Sequence, residues 1–188
     1  MERGKLMKKL LILDSKNYTD DMRAFEKYAV RTIIVKNGRI ATQHGAAGDY
    51  KIVGGGIENG ETYIDTIMRE VREEAGLLVK QDSIVELGEI EEIRKDLYHE
   101  DEKFICHSYF YYCEVEDETV DTNMTMSEIK KGYHLCWATP KEIIDANSYF
   151  HYLPWIYRDT RFVEMLQNHQ FDNVVSLKTE NESRILVK

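Results

Sequence analysis

Apolar and polar positions in this chain change period as they go, and the changes mark out its elements. Residues 28–35, YAVRTIIV, are a compact β-branched and apolar run that predicts a strand. Asn37-Gly38 then supplies a hairpin turn into a second strand over 39–43. A short strand is expected over 50–53, feeding a cluster of glycines. Longer strands are expected near 84–94 and 103–115, joined by the charged segment KDLYHEDEK, and another over 133–138. Pro140 opens a short helix that reaches about Ala146. In the middle of the chain the period lengthens to that of a helix. Ile64, Ile67, Met68, Val71 and Ala75 fall on one face that can pack against a sheet. Thr62 suits the N-cap of this helix, with Asp65 three residues on, and Gly76 stands where a left-handed C-cap is expected. The chain shows no internal repeat, low-complexity tract or linker, so it reads as one mixed α/β domain over residues 1–188.

The polar side of the central helix carries the chemistry. Glu70, Glu73 and Glu74 share a face spanning about 100°. Three carboxylates so close repel one another unless a cation lies between them, and an all-oxygen set of this kind suits Mg²⁺, with Mn²⁺ as a substitute. Arg69 and Glu73 are spaced as an i,i+4 pair that can hold one carboxylate in place. Gly54, Gly55, Gly56 and Gly60 let the backbone turn sharply ahead of the helix, and a carbonyl there, Gly55 being the candidate, can complete a ligand set. A Glu-rich helix is ordinarily a solvated face. The glycine turn at fixed spacing argues for a site instead.

The stretch GGIENGETYIDTIMREVREEAGL resembles the signature of the Nudix hydrolases. That signature is glycine, five residues, glutamate, seven residues, then Arg-Glu-aliphatic-x-Glu-Glu-x-Gly-aliphatic. Gly55, Glu61, Arg69, Glu70, Val71, Glu73, Glu74, Gly76 and Leu77 fill every specified position. With roughly 7% occupancy per fixed site, seven identities at set spacing are a chance event of order one in 10⁷. The resemblance implies an α/β/α sandwich around a mixed sheet, extending over about residues 28–146. It also implies Mg²⁺-dependent hydrolysis of the pyrophosphate linkage in a nucleoside diphosphate joined to another group. Glu70, Glu73 and Glu74 would hold the metal, Arg69 would orient them, and Glu61 would support the turn or a metal-bound water. Family members take the catalytic base from Glu74's position or from a loop glutamate outside the box. Glu128, nine residues before Trp137, is the candidate for that loop acid, and an exposed loop carboxylate is its plain alternative.

Composition narrows the setting. With 188 residues and 43% hydrophobic content the chain can bury a substantial core. Its net charge of −9 argues against broad binding to nucleic acid or to anionic membrane, while bound divalent ions still admit a small phosphorylated substrate. Cys106, Cys113 and Cys136 lack metal-ligand spacing and are expected as reduced thiols of a cytoplasmic protein. The opening MERGKLMKKLLILDS has an apolar run too short for a secretory signal.

From about residue 147 an aromatic-rich extension is expected to form a helix after Pro154. Its Tyr152, Trp155 and Tyr157 can stack a base, build a homodimer face or simply cover the core, the last being the commoner use. Residues 173–188 hold two short apolar runs that can add a strand. His107 and His134 read as satisfied core histidines. Substrate choice stays open between nucleoside triphosphates, oxidised ones included, and nucleotide sugars of the ADP-ribose type. The proline that marks ADP-ribose-cleaving relatives is missing beyond the box, since the only prolines are Pro140 and Pro154. A regulatory Nudix domain that binds a nucleotide metabolite without cleaving it is the alternative, and the intact acid set argues against it. An isomerase acting on a diphosphate lipid precursor is a third reading, for which no acid–base pair is visible.

Overall fold

The computed structural model of the protein describes residues 7–177. Its elements are β1 (Lys9–Asp14), β2 (Arg23–Ile33), β3 (Val35–Lys36), β4 (Arg39–His44), β5 (Tyr50–Ile52), α1 (Tyr63–Ala75), β6 (Leu77–Val79) and β7 (Val85–Lys95). They continue as β8 (Glu102–Tyr112), β9 (Val115–Thr119), α2 (Met126–Lys130), β10 (His134–Ala138), α3 (Pro140–Asn147) and α4 (Pro154–Gln167). A mixed sheet runs β1-β7-β8-β2, antiparallel at its centre and parallel at both edges. A smaller antiparallel sheet joins β10, β4 and β3, with β5 on β4, and β6 pairs with β9. Two backbone bonds, Val30 N to Gly55 O at 3.0 Å and Thr32 N to Val53 O at 2.8 Å, tie β2 to the glycine turn after β5. The turn is therefore stitched to the large sheet rather than looping into solvent.

Alternation along β2 builds a core on each face of the sheet. Val30 and Ile34 point toward α1 and pack with Val53, Ile67, Val71 and Leu77. Ile33 points the other way and packs with Ile90, Phe110, Ile143, Phe162 and Leu166 beneath α3 and α4. This is the α/β/α sandwich with a mixed sheet that the box resemblance implies.

Some elements depart from the sequence reading. β1, β6, β9, α2 and the first half of β2 are additional, because none carries a long apolar run. The polar segment Arg23–Lys27 stays extended because it continues a parallel ladder against β8. On α1, Ile64 and Met68 are 39% and 36% exposed rather than packed. Their places on the buried side go to Thr66 and Glu74. His134 is exposed rather than core, whereas His107 is partly buried with Nδ1 2.7 Å from Glu89. Within the C-terminal extension, α4 covers the core with Ile156, Phe162, Val163 and Leu166, while Tyr152 is 74% exposed. Val175 is also buried, and the expected strand falls partly on residues 178–188, outside the described residues. No helix among the described residues is long and apolar enough to cross a membrane.

The Phe110–Phe162 stack, with centroids 3.9 Å apart and both rings fully buried, joins α4 to the sheet. Phe162→Ala is expected to lower the unfolding free energy by about 3–5 kcal/mol. Tyr152→Ala should stay within about 0.5 kcal/mol of the parent. Urea melts of the two variants check the contrast; equal losses would contradict this packing.

Candidate active site

Local chemistry fixes the frame of α1 before any function is considered. Thr62 Oγ1 accepts from Asp65 N at 3.2 Å and Asp65 Oδ2 accepts from Thr62 N at 2.9 Å, a reciprocal capping box. At the other end Gly76 takes φ 64°, and its N–H donates to Arg72 O. At Gly55 only hydrogen fits, because an added Cβ would overlap the Glu70 carboxylate. The backbone of the glycine turn thus lies directly against a box acid.

Arg69 locks the turn to the helix. Its Nε and Nη2 grip Glu61 at 2.6 and 2.9 Å, a bidentate pair. Nη1 donates to Glu70 at 2.7 Å and to Glu73 at 3.3 Å, and Nη2 also reaches Gly56 O at 3.1 Å. Glu61 further accepts from Glu58 N at 3.1 Å and Thr66 Oγ1 at 2.8 Å, so it supports the turn. The Arg69 guanidinium holds the Glu61 carboxyl down at about 2. Arg69 itself is raised, chiefly by its hydrogen bonds to Glu61.

Glu74 departs from its two neighbours. It is 2% exposed, with Oε2 accepting from Gly54 N at 2.8 Å and Oε1 from Lys51 Nζ at 2.7 Å. Burial pushes its carboxyl up to about 7 despite the opposing Lys51 ammonium. Lys51 Nζ lies 3.4 Å from Glu128 Oε1, so this lysine bridges the two acids. Glu128 is held down at about 2 despite its partial burial, chiefly by its hydrogen bond with Glu74, aided by Thr125 and Lys51. Two carboxylates sharing one lysine titrate as a coupled pair.

The path that carries Glu128 to this place is visible in the backbone. β9 runs back along β6, then Val120 N donates to Gly76 O at 2.9 Å and Asn123 N to Glu73 O at 2.8 Å. These bonds fasten the segment to the C-terminal end of α1. Thr125 then caps α2, with Glu128 Oε2 accepting from Thr125 N at 2.9 Å. Glu128 Oε1 remains directed at Lys51.

Arg69, Glu70 and Glu73 are thus joined to the turn near Gly55 and Gly56, and Glu74 to Gly54, with Glu128 linked to Glu74 through Lys51. Gly55 O accepts from Val30 N and keeps one lone pair for a further partner. Sequence reasoning passed over Lys51, which a lone lysine in a three-residue strand does not advertise. It also passed over Gln43, fully buried on β4, whose Nε2 donates to Glu74 O. A second acidic group, Glu89, Glu91 and His107, lies on the large sheet, but Lys9 already pairs with both glutamates. A surface depression lined by Val79, Gln81, Ser83 and Glu116 lies at the β6–β9 pair, away from these groups. The box carboxylates are hard oxygen donors too, and Arg69 and Lys51 pair with them.

The structure is similar to the mutator MutT protein from Bacillus halodurans, at 18% identity over 64% of this chain and 72% of that one, with a TM-score of 0.43. It is similar to a Nudix hydrolase from Nitrosomonas europaea, at 17% identity over 66% and 79%, with a TM-score of 0.47. A third likeness is to an ADP-ribose pyrophosphatase from Streptococcus suis, at 15% identity over 61% and 75%, with a TM-score of 0.39. No curated protein matches the chain. The family model described as NUDIX domain matches residues 27–156, more than two thirds of the sequence, and on that match the chain belongs to the Nudix domain family.

Proposed function

We propose that this Nudix pyrophosphohydrolase uses Mg²⁺ to cleave the diphosphate linkage of a nucleoside diphosphate joined to another group. The observation that carries the reading is the gathering of Glu70, Glu73, Glu74 and Glu128 around a turn whose Gly55 admits no side chain. A divalent cation bound there supplies positive charge against the phosphate oxygens. Glu70 and Glu73 present its ligand oxygens, and Arg69 keeps both aimed. Glu74 anchors the turn through Gly54 N, and its other oxygen, held here by Lys51, would be its ligand to the cation. The Glu74–Glu128 pair would accept the proton of the attacking water in its ionised form, and a Glu74 carboxyl raised toward neutrality suits that transfer. Free thiols at Cys106, Cys113 and Cys136 fit the reducing cytoplasm.

A panel of nucleoside triphosphates, nucleotide sugars and dinucleotides, incubated with protein and Mg²⁺ and scored for released phosphate or pyrophosphate, tests the function. Turnover of at least one member is expected. Glu73→Gln should reduce kcat about 100-fold, equivalent to ~2.7 kcal/mol of barrier, without unfolding the helix. Near-parent turnover in that variant would falsify the ligand role of Glu73.

The Glu74 shift makes a second, independent test. The folded protein keeps a proton on Glu74 between the ordinary carboxyl value of 4.5 and about 7, a window in which the unfolded chain has released it. Stability from this group is therefore lost as pH rises through that window. In EDTA, the urea midpoint of the parent should fall from pH 5 to pH 7.5 more steeply than that of Glu74→Gln. Mg²⁺ should bind more tightly as pH rises over the same range, since binding must expel the proton. Parallel pH profiles for parent and variant would overturn the assignment.

A further inference from the structure

The α4 side of the large sheet carries a second charged assembly, opposite in sign to the box. Alternation puts Lys27 and Arg31 of β2 on the same face as Cys106 of β8 and Glu92 and Arg94 of β7. Arg158 and Asp159 of α4 meet them from above. Arg31, Glu92, Arg94, Arg158 and Asp159 are each at most 8% exposed, whereas Lys27 is exposed at the edge. Four cationic side chains thus face two carboxylates.

The pairing leaves one guanidinium over. Glu92 takes Arg94 Nε at 2.7 Å. Asp159 Oδ1 takes Arg158 Nε at 3.0 Å and Nη2 at 2.8 Å, and its Oδ2 accepts from Ile52 N at 2.9 Å. Arg31 reaches only the neighbouring Val30 carbonyl through Nη1, at 2.8 Å. Its Nε stands 3.8 Å from Asp159 Oδ1 and, among the described residues, is buried without a hydrogen-bond partner. Burial and the Arg158 charge both push the Arg31 guanidinium down. An uncompensated buried cation is costly, and a dianion with several acceptor oxygens is what relieves it.

The assembly also adjoins the box. Gly56 bridges to Ala29, and a Cβ added at Gly56 would lie 3.4 Å from Lys27 Cε. Glu70 exerts an opposing charge on Lys27, and Ile52, bonded to Asp159, lies two residues before Gly54. The surplus cations and the box acids are thus both joined to the same glycine turn.

The geometry points to Lys27 and Arg31 as the seat of a terminal phosphate dianion of the substrate, held while the linkage to be broken lies over the box acids. This rests on the hydrolase reading, and it narrows the substrate to a nucleotide ending in a free phosphate rather than one capped by a sugar. Free inorganic phosphate offers the same chemistry, so the test must separate the two sources.

Calorimetry with inorganic pyrophosphate in EDTA reads the site without turnover. Lys27→Met should weaken binding about tenfold, and Arg31→Lys more, whereas Lys141→Met on the distant α3 should match the parent. With Mg²⁺, Lys27→Met should raise KM about tenfold for a nucleoside triphosphate and leave KM for a sugar-capped nucleotide unmoved. Equal pyrophosphate affinity in Lys27→Met and parent overturns the site, and because Lys27 is exposed this arm stands even if Arg31→Lys fails to fold. Weaker pyrophosphate binding with an unmoved triphosphate KM makes it a free-phosphate site and overturns the substrate assignment. If no nucleotide in the panel is hydrolysed yet Lys27→Met still loses pyrophosphate, the anion site stands and the hydrolase reading fails.

Discussion

Arg69 directs all five of its N–H donors at the site it organises: two at Glu61, one each at Glu70 and Glu73, and one at the Gly56 carbonyl. Three carboxylates and a backbone turn are held by one planar group. A lysine in this place would offer three donors from a single point and could not span the same partners. The geometry also sets a limit on Arg69. With no donor left over, it positions the box acids and has nothing to offer a phosphate. The acidic face therefore stays open for a cation while its own mutual repulsion is held in check.

Glu74 shows what the opposite arrangement costs. It lies on the buried side of α1, where the helical pattern calls for an apolar residue, and it is tolerated because Gly54 N and Lys51 each satisfy one oxygen. An alanine there would be the more conventional core choice. Keeping a carboxylate with a carboxyl raised to about 7 marks a place where packing has yielded to chemistry. The match of the family model ends at residue 156, just inside α4, whose Phe162, Val163 and Leu166 close the second core.

What the sequence disclosed follows the range of the interactions involved. The central helix, its caps and the Arg69–Glu73 pair depend on neighbours within four residues, and these were legible from Thr62, Gly76 and the periodic apolar face. The strands with β-branched runs were equally plain. β1 was not, since its LLIL core is short and its parallel partner β7 lies about eighty residues away in the chain. Lys51 and Glu128 come together across 77 residues through the path of β9 and α2, and no local pattern records that. Exposed Ile64 and Met68 show the converse error, in which a correct helical period assigns residues to a core that Glu74 partly displaces. The basic assembly was invisible for the same reason: Lys27 and Arg31 read as polar punctuation in a strand, and only α4 gives them company.

The arrangement of cations then answers a difficulty posed by the charge of the whole chain. At −9 the protein repels a nucleotide, and the box adds carboxylates where the phosphates must lie. Screening at physiological salt confines such effects to about 8 Å, so local charges decide the outcome. Near the turn Arg69 is fully engaged and Lys51 is shared between two acids. The cations with capacity to spare are Arg31, whose Nε has no hydrogen-bond partner among the described residues, and its neighbour Lys27. A phosphate held there would be fixed before its neighbour reaches the acidic face, and the bound divalent charge would then have to overcome repulsion over one linkage rather than over the whole polyphosphate chain.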